Sequence, residues 1–267
     1  MNIGAENDQE LLTVNGLTKF FKGLRAVNNV NIHLKKGEIL GIIGPNGAGK
    51  TTIFNLLTGF IPVTSGTIEF RGQNITKKSP DAIAKLGIGR TFQNIRLFPT
   101  LSVLENVQIG LQTKVQEAFG SVMVTAPSFL RKERDLEYQA LDLLAIFNLD
   151  QYADRLAVGL SYGDQRRLEI VRALALHPVL LLLDEPVAGM NPYERMEVLE
   201  LTRKIRDQFD LTIIVVEHNM PLVMGLCERI QVLNYGETIA EGSPDEIRNN
   251  PMVIEAYLGK VEENAQA

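Results

Sequence analysis

Residues 44–51 read Gly44-Pro45-Asn46-Gly47-Ala48-Gly49-Lys50-Thr51, and Thr52 follows. This stretch fits the pattern G-x-x-x-x-G-K-[ST] of phosphate-binding loops. The apolar run at 39–43 predicts a buried strand before it, and Ile53, Leu56 and Leu57 recur at helical spacing after it. A strand, a glycine-rich turn and a helix N-terminus turn successive backbone N–H groups towards one anion. The context therefore favours a phosphate site at residues 44–52 over a chance glycine-rich turn.

Two side chains of this loop have a predicted chemical role. The Lys50 ammonium has the length to reach the β- and γ-phosphates of a nucleotide, and the Thr51 hydroxyl suits a Mg²⁺ ion. The loop thus predicts binding of a nucleoside triphosphate with Mg²⁺.

The composition limits the class of protein. The chain has 267 residues, a net charge of −5 and a single cysteine, Cys227. The negative charge gives no sign of a nucleic-acid partner. One cysteine excludes an internal disulfide and a multi-cysteine metal site, so we expect Cys227 to be a buried, unreactive thiol.

No apolar run approaches the roughly 18 residues of a membrane span. The polar residues 1–10 do not resemble a signal peptide. We expect a cytosolic protein that reaches a membrane only through a partner.

The pattern of elements predicts an α/β fold. Short strands are expected at 12–14, 26–27, 30–34 and 66–72, a turn at 35–38, and helical structure from Pro80 with residues 87–93 as a polar link. Helical stripes follow at 101–111 and 136–147, separated by an irregular stretch at 120–127. The apolar runs 179–183 and 212–216 are typical of parallel strands buried on both faces, and residues 193–209 form a charged amphipathic helix between them.

These elements indicate a P-loop NTPase (RecA-like) core with an antiparallel β subdomain and an inserted α-helical subdomain. We assign residues 1–93 and 174–242 to the nucleotide-binding α/β core, 94–173 to the helical subdomain and 243–267 to a C-terminal tail, with the whole domain at 11–260.

A second functional signal is the pair Asp184-Glu185, which ends the apolar run at 179–183. Open α/β sheets bind ligands at the carboxyl ends of their strands, and buried carboxylates are costly unless they are used. With a phosphate loop upstream, Asp184 is a candidate Mg²⁺ ligand and Glu185 a candidate base for an attacking water, rather than a solvated strand end.

The stretch Gly159-Leu160-Ser161-Tyr162-Gly163-Asp164-Gln165-Arg166-Arg167 narrows the class. Here the chain resembles the ATP-binding cassette (ABC) ATPases, whose signature is typically L-S-G-G-Q. Tyr162 replaces the first glycine, and Asp164 is read as an extra position before the glutamine. The resemblance implies that Ser161 and Gly163 contact the γ-phosphate of ATP held by an opposite subunit. A helix N-cap is an equally good reading of Ser161 by itself.

Further positions follow the order of the family. By resemblance, Gln93 senses Mg²⁺ and the attacking water, His218 contacts the γ-phosphate, and Phe21 (or Phe20) stacks on adenine. A buried β-strand phenylalanine is the alternative for Phe21. Residues 188–191 occupy the place of the dimer-contact loop, with Asn191 where an aspartate is common.

The resemblance is strongest to the ATPase subunits of branched-chain and other hydrophobic amino-acid importers, in residues 87–93, 160–163, 186–192 and 254–259. It implies ATP hydrolysis that powers uptake of branched-chain or other neutral amino acids. An importer of urea or amides, or a soluble ABC ATPase, remains the alternative. A nucleotide kinase would share only the phosphate loop.

The implied partners follow from the same resemblance. They are a second ATPase subunit, identical or related, in a head-to-tail dimer, two integral membrane permease subunits, and indirectly a solute-binding protein outside the membrane. The chain would lie peripherally on the cytoplasmic side of the inner membrane. We expect the permease to dock near Arg96, Leu97 and Phe98, although Phe98 is equally suited to pack the helical insert.

The role of Glu185 generates the first testable prediction. Glu185→Gln keeps the shape of the side chain but removes its basicity, so ATP binding should persist while turnover is lost. Equilibrium nucleotide binding and phosphate release measured on the same preparation check this. Near-normal turnover of the variant would exclude Glu185 as the base.

Overall fold

The computed structural model describes residues 10–115 and 126–258. The predicted irregular stretch at 120–127 lies mostly outside these residues, and its last two positions, Ala126 and Pro127, open a helix. The described residues form the following elements, in chain order: β1 (Glu10–Phe21), β2 (Leu24–Lys35), β3 (Ile39–Ile43), α1 (Lys50–Leu57), β4 (Ser65–Phe70), β5 (Gln73–Asn74), α2 (Pro80–Lys85), β6 (Ile88–Arg90), α3 (Val103–Val115), α4 (Ala126–Ile146), α5 (Tyr162–Leu174), β7 (Leu180–Asp184), α6 (Pro192–Phe209), β8 (Thr212–Val216), α7 (Met220–Leu226), β9 (Arg229–Asn234), β10 (Glu237–Gly242), α8 (Pro244–Arg248) and α9 (Pro251–Leu258).

The chain divides into two compact units. Of the described residues, 10–83 and 210–258 belong to the first unit, and 84–115 and 126–209 to the second. The phosphate loop and His218 lie in the first unit. Gln93, the pair Asp184-Glu185 and the stretch that resembles the ABC signature lie in the second.

The first unit contains an antiparallel sheet in the order β2-β1-β4-β5. The short pieces predicted before residue 35 are in fact two strands of 12 residues each, paired with several register shifts. These shifts break the polar–apolar alternation on which the sequence prediction relied, as bulges do. The strands still bury one apolar face, which includes Leu12, Val14, Ile32 and Leu34.

The phosphate loop extends from a second set of strands in the same unit. Strand β3 pairs in parallel with β8 on one side and β9 on the other, and β10 runs antiparallel to β9. Every residue of β3 and β8 is buried, which confirms the predicted strands at 39–43 and 212–216. Helix α1 buries Ile53, Leu56 and Leu57, as their spacing predicted.

The second unit contains the parallel pair β6–β7 and the helices α3 to α6. Strand β6 has only three residues, which pair with β7 in the register Ile88↔Leu180 to Arg90↔Leu182. It lies within residues 87–93, which were predicted as a polar link, and it was not predicted because a run of three residues is too short to show a periodicity. The helical stripes are confirmed, with Val107 on α3 and Ala140 and Leu144 on α4 buried.

Along the described stretches, no helix combines the length and the apolar character that crossing a bilayer requires. The longest, α4, has 21 residues but carries a largely charged exposed face. This agrees with the absence of a spanning run in the sequence.

The only cysteine of the chain, Cys227, lies at the C-terminal end of α7 and is buried, as predicted. Its sulfur packs against β3, where a Cβ on Gly41 would approach Sγ to 2.9 Å. Burial raises the pKa of the thiol to about 12, and the neighbouring carboxylates of Glu228 and Glu217 act in the same direction.

Cys227 should therefore resist modification. The thiolate is the reactive form, so at pH 8 a soluble disulfide reagent should label the native protein at least about a hundredfold more slowly than the denatured chain. Absorbance of the released thiol measures both rates, and Cys227→Ala sets the background. Complete labelling of the native protein within the mixing time would contradict the buried position.

Candidate functional site

The phosphate loop links the end of β3 to the start of α1. Three of its glycines have positive φ angles: 153° at Gly44, 81° at Gly47 and 101° at Gly49. A Cβ on Gly44 would lie 2.1 Å from the carbonyl oxygen of Leu233, and one on Gly49 would lie 2.6 Å from that of Ala26. A side chain at Gly44 or Gly49 is therefore excluded both by the positive φ angle and by the nearby carbonyl oxygen.

Lys50 is the first residue of helix α1 and is buried. Its Nζ donates to the carbonyl oxygens of Gly44, at 2.7 Å, and Pro45, at 3.0 Å. The ammonium therefore spans its own loop, beside the N-terminus of α1, where the helix dipole also favours an anion. Thr51 is exposed in the first turn of α1.

His218 follows strand β8 and precedes α7. Its side chain is exposed, while the preceding Glu217 is fully buried. The Glu217 carboxylate accepts the backbone N–H groups of His218, at 3.0 Å, and Asn219, at 3.2 Å, and Asn219 in turn caps α7. The loop that presents the histidine is thus held by a residue that the sequence reasoning did not assign. A charged residue straight after a fully buried strand was the available signal.

The two candidate adenine-stacking residues lie at the end of β1. Phe20 is 41% exposed and Phe21 43% exposed, so the alternative of a buried core phenylalanine is wrong for both. Lys19 Nζ lies 5.1 Å from the centre of the Phe21 ring, and the Arg25 guanidinium lies 5.5 Å from that of Phe20. Both rings are open to a planar ligand, and exposure does not distinguish them.

Asp184, in the second unit, forms a buried ion pair. Its Oδ2 lies 3.0 Å from Arg90 Nη2, with the two side chains 1% and 5% exposed, and its backbone N–H donates to the Thr91 hydroxyl at 3.1 Å. Burial raises the pKa of Asp184, and Arg90 opposes that rise. Burial also lowers the pKa of Arg90, against the effect of Asp184. The Arg90 guanidinium thus offsets part of the effect that burial has on the Asp184 carboxyl.

Glu185 and Gln93 are brought together. Gln93 Nε2 donates to Glu185 Oε2 at 3.2 Å, so two predicted catalytic side chains are in direct contact. Glu185 has a φ of 49°, in the left-handed region that non-glycine residues rarely adopt. Such conformations persist where the surrounding structure imposes them, and here the chain turns directly after β7.

Ser161 is the N-cap of helix α5. Its hydroxyl accepts the N–H of Asp164 at 3.1 Å and donates to the Asp164 carboxylate at 2.8 Å, so the N-cap reading holds in this structure. Gly163 is buried against Glu194, whose Oε1 would lie 3.3 Å from a Cβ at that position. Asn191 likewise caps α6, because its Oδ1 accepts the N–H of Glu194 at 3.0 Å.

The family model described as ABC transporter matches residues 27–188, and a second, described as branched-chain amino acid ATP-binding cassette transporter, matches residues 237–263. This chain belongs to the ABC transporter ATPases. It is therefore an ATP hydrolase of the ABC type, with the cassette fold of that family.

Two curated relatives are similar along nearly their whole length. The chain is 47% identical to the high-affinity branched-chain amino acid transport ATP-binding protein LivG of Escherichia coli, over 94% of this chain and 99% of LivG. It is 43% identical to the corresponding protein BraF of Pseudomonas aeruginosa, over 94% and 98%.

Two solved cassettes are similar in structure. One is the ADP conformation of an ABC transporter cassette, with a TM-score of 0.80, 29% identity, and coverage of 94% of this chain and 100% of that one. The other is a dimeric cassette bound to ADP and Pi, with a TM-score of 0.75, 28% identity, and coverage of 88% and 99%.

Several residues of this ABC ATPase support the site but were not found from its sequence. Arg90 and Thr91 hold Asp184, and Arg166 and Glu169 on α5 hold the backbone around Gln93. Arg90 and Thr91 lie inside a stretch that the resemblance had already singled out. The signal available in the sequence was the basic residue Arg90, three positions before the candidate catalytic residue Gln93.

The predicted docking residues of the ATPase lie just after Gln93. Arg96 stacks on the ring of Phe92, with its guanidinium 4.1 Å from the ring centre. Leu97 is half-buried, and Phe98 is 43% exposed. The Phe98 ring also lies 5.4 Å from the Arg172 guanidinium on α5, so it contacts the helical insert while part of it stays exposed.

The Arg90–Asp184 pair generates a prediction about stability. Arg90→Met leaves a buried carboxylate without its cation, which typically costs about 3–5 kcal/mol of unfolding free energy. Asp184→Asn in the same chain should recover part of that loss, and urea unfolding of the two single variants and the double variant measures the coupling.

Lys36→Met is the matched control, since it breaks an exposed ion pair with Asp210. It should change the unfolding free energy by less than about 1 kcal/mol. If the changes in unfolding free energy caused by the Arg90 and Asp184 substitutions simply add in the double variant, the two side chains do not form a stabilising pair.

Proposed function

We propose that this ABC ATPase powers the import of branched-chain amino acids through membrane-embedded partner subunits. The observation that carries the proposal is the 47% identity to LivG, which spans 94% of this chain and 99% of that relative. The match of residues 237–263 to a branched-chain amino acid cassette model points to the same class of transporter. These names favour amino acids over urea or amides, and transport over a soluble role.

ATP binds on the phosphate loop in this proposal. The backbone N–H groups of the loop (all of its residues but Pro45) and the start of α1 surround the phosphates, and Lys50 moves from the carbonyl oxygens of Gly44 and Pro45 to the β- and γ-phosphates. Phe21 or Phe20 stacks on the adenine, and their exposure supports this role.

Mg²⁺ fits the oxygen donors that this chain offers. Asp184 Oδ1 is buried and has no hydrogen-bond partner among the described residues, so it is available to a cation. The Thr51 hydroxyl and the Gln93 amide oxygen are the other proposed ligands, and all three are hard oxygen donors. When bound, Mg²⁺ would neutralise charge on the phosphates.

Glu185, Gln93 and His218 act on the attacking water and the γ-phosphate. Glu185 accepts the proton of the water as general base, while the Gln93 amide, hydrogen-bonded to Glu185, orients the carboxylate and the water. His218 contacts the γ-phosphate from a loop held by Glu217. The protein contributes mainly by positioning and by electrostatic stabilisation.

A second ATPase subunit completes each site in this proposal. Ser161 and Gly163, at the N-terminus of α5, contact the γ-phosphate held by the opposite copy, so two subunits face each other head to tail. ATP then holds the dimer closed, and hydrolysis removes the shared contacts. The dimeric relative bound to ADP and Pi supports such an arrangement.

The membrane partners are two permease subunits that dock at Arg96, Leu97 and Phe98, and a solute-binding protein delivers the amino acid to them. The chain acts as a peripheral subunit on the cytoplasmic face of the inner membrane. The exposed ring of Phe98, next to the half-buried Leu97 in the chain, offers an apolar anchor for a partner helix.

Isolation of the complex tests the proposal. The tagged chain, extracted from its native membranes with mild detergent, should retain two polytopic membrane proteins identified by mass spectrometry. Membranes containing that complex should take up radiolabelled leucine, isoleucine or valine in an ATP-dependent manner. Recovery of the chain alone, or with soluble partners, would contradict a role in transport. A transporter that instead carries urea or an amide would contradict the amino-acid assignment.

Phe98 provides a sharper version of the same experiment. Phe98→Asp places a charge in the proposed apolar contact, so we expect at least a tenfold loss of the co-purified permease subunits, as for loss of an interface anchor worth about 2 kcal/mol. Tyr138→Asp is the matched control, because Tyr138 on α4 is a 67% exposed aromatic outside the docking region. Equal retention of the permeases by both variants would contradict docking at Phe98.

A further inference from the structure

Helix α5 carries a buried ion pair that the proposed mechanism does not use. Arg166 and Glu169 are 3% and 2% exposed, and Arg166 Nη1 lies 3.4 Å from Glu169 Oε2. Burial of two charges is costly, and their mutual attraction compensates only when other hydrogen bonds satisfy the remaining atoms. The distance is long for a charge-assisted hydrogen bond. The pair must therefore be explained by its other contacts.

Those contacts go to one short segment, residues 92–96, which follows β6 and which we name the Gln93 loop. Glu169 Oε1 accepts the backbone N–H of Phe92 at 3.2 Å and that of Arg96 at 3.3 Å. Arg166 Nη1 donates to the carbonyl oxygen of Phe92 at 2.7 Å, and Nη2 donates to that of Gln93. The carboxylate holds two donors and the guanidinium two acceptors of a segment that is neither helix nor strand.

The Gln93 loop is thus fixed at both its backbone and its functional side chain. Arg166 binds the Gln93 carbonyl oxygen, while the Gln93 amide donates to Glu185 at 3.2 Å. A loop without partners of its own would leave the amide many orientations, and a small displacement of a catalytic group has a large effect on rate.

The pair is also joined to the start of its own helix. Arg166 Nη2 donates to the Tyr162 hydroxyl at 2.8 Å, and Tyr162 directly follows the N-cap Ser161. A continuous chain of hydrogen bonds therefore runs from the first turn of α5 through Arg166 to Gln93 and Glu185.

We infer that Arg166 and Glu169 are positioning residues for ATP hydrolysis, which hold Gln93 on Glu185 through the backbone of the Gln93 loop. The inference rests on the proposed roles of Gln93 and Glu185. Neither Arg166 nor Glu169 touches the nucleotide in this account. Their loss should lower kcat more than it raises KM for MgATP, since the phosphate loop lies in the other unit and keeps its own contacts.

The test separates positioning from stability. Arg166→Met leaves the Glu169 carboxylate buried without its cation, so both the unfolding free energy and kcat should fall. Adding Glu169→Gln removes that unpaired charge and keeps an oxygen for the two N–H groups. The double variant should regain stability in urea unfolding, but its kcat should stay at least tenfold below that of the wild type because the Gln93 carbonyl is not held. Recovery of kcat together with stability would overturn the inference.

Two further variants of the full-length chain guard against misfolding. Arg166→Lys keeps the buried charge but offers one nitrogen for two carbonyl oxygens, so it should fold and show an intermediate kcat. Glu197→Gln is the matched control, because it breaks an ion pair of the next residue, Arg167, on the same helix without contacting the Gln93 loop. It should leave kcat within twofold of the wild type. A kcat loss in Glu197→Gln equal to that of Arg166→Lys would overturn the inference.

A double-mutant cycle with Gln93→Ala distinguishes the inference from the function on which it rests. If Arg166 acts through Gln93, Gln93→Ala should lower kcat, and Arg166→Lys should cause no further loss in that background. Losses that multiply would overturn the positioning role while leaving Gln93 in the mechanism. Normal turnover of Gln93→Ala alone would contradict the proposed role of Gln93, and the inference with it.

Discussion

The phosphate loop depends on a close approach of backbone to backbone that only glycine permits. Its first glycine faces the carbonyl oxygen of Leu233, and Gly49 faces that of Ala26, at distances that leave no room for a Cβ. The turn after β9 binds the same loop, since Gly236 N–H donates to the Ala48 carbonyl at 3.0 Å. Strand β2 and the β9–β10 turn, remote in sequence, therefore determine where the anion site lies. The glycines in the motif are needed as much for this packing as for the phosphates.

The two adjacent carboxylates at the end of β7 differ because their surroundings differ. Asp184 is enclosed and paired with a guanidinium, which favours its charged form against the effect of burial. Glu185 is only partly buried, and its Oε2 accepts a hydrogen bond from the Gln93 amide. The short strand β6 and the residues after it supply both partners. The strand and the residues after it thus give the two adjacent carboxylates different surroundings, as the different roles proposed for them require.

Local patterns in the sequence were sufficient for the parts of the fold with strong periodicity. Strand β8 has the predicted bounds, and α6 begins one residue before its predicted start. Contacts between remote residues had no such signal. Arg90 reaches Asp184 only because β6 pairs with β7, and Glu169 reaches residue 92 only because α5 packs beside the Gln93 loop. The exposure of Phe21 could not be predicted from the sequence either, since a phenylalanine in a strand is more often buried.

The departure of this chain from the usual ABC signature has a structural counterpart. Tyr162 stands where the family commonly has glycine, and its ring lies against Gly189, where a Cβ would come within 2.8 Å of it. Gly189 has a φ of 74°, so the loop turns sharply at the point where the ring needs space. The Tyr162 hydroxyl is hydrogen-bonded to Arg166, which a glycine could not provide. Tyr162 therefore joins the two other residues, since its ring packs against Gly189 and its hydroxyl accepts a hydrogen bond from the buried Arg166. In this chain the signature is best understood together with residues 166 and 189, not as an isolated five-residue pattern with a defect.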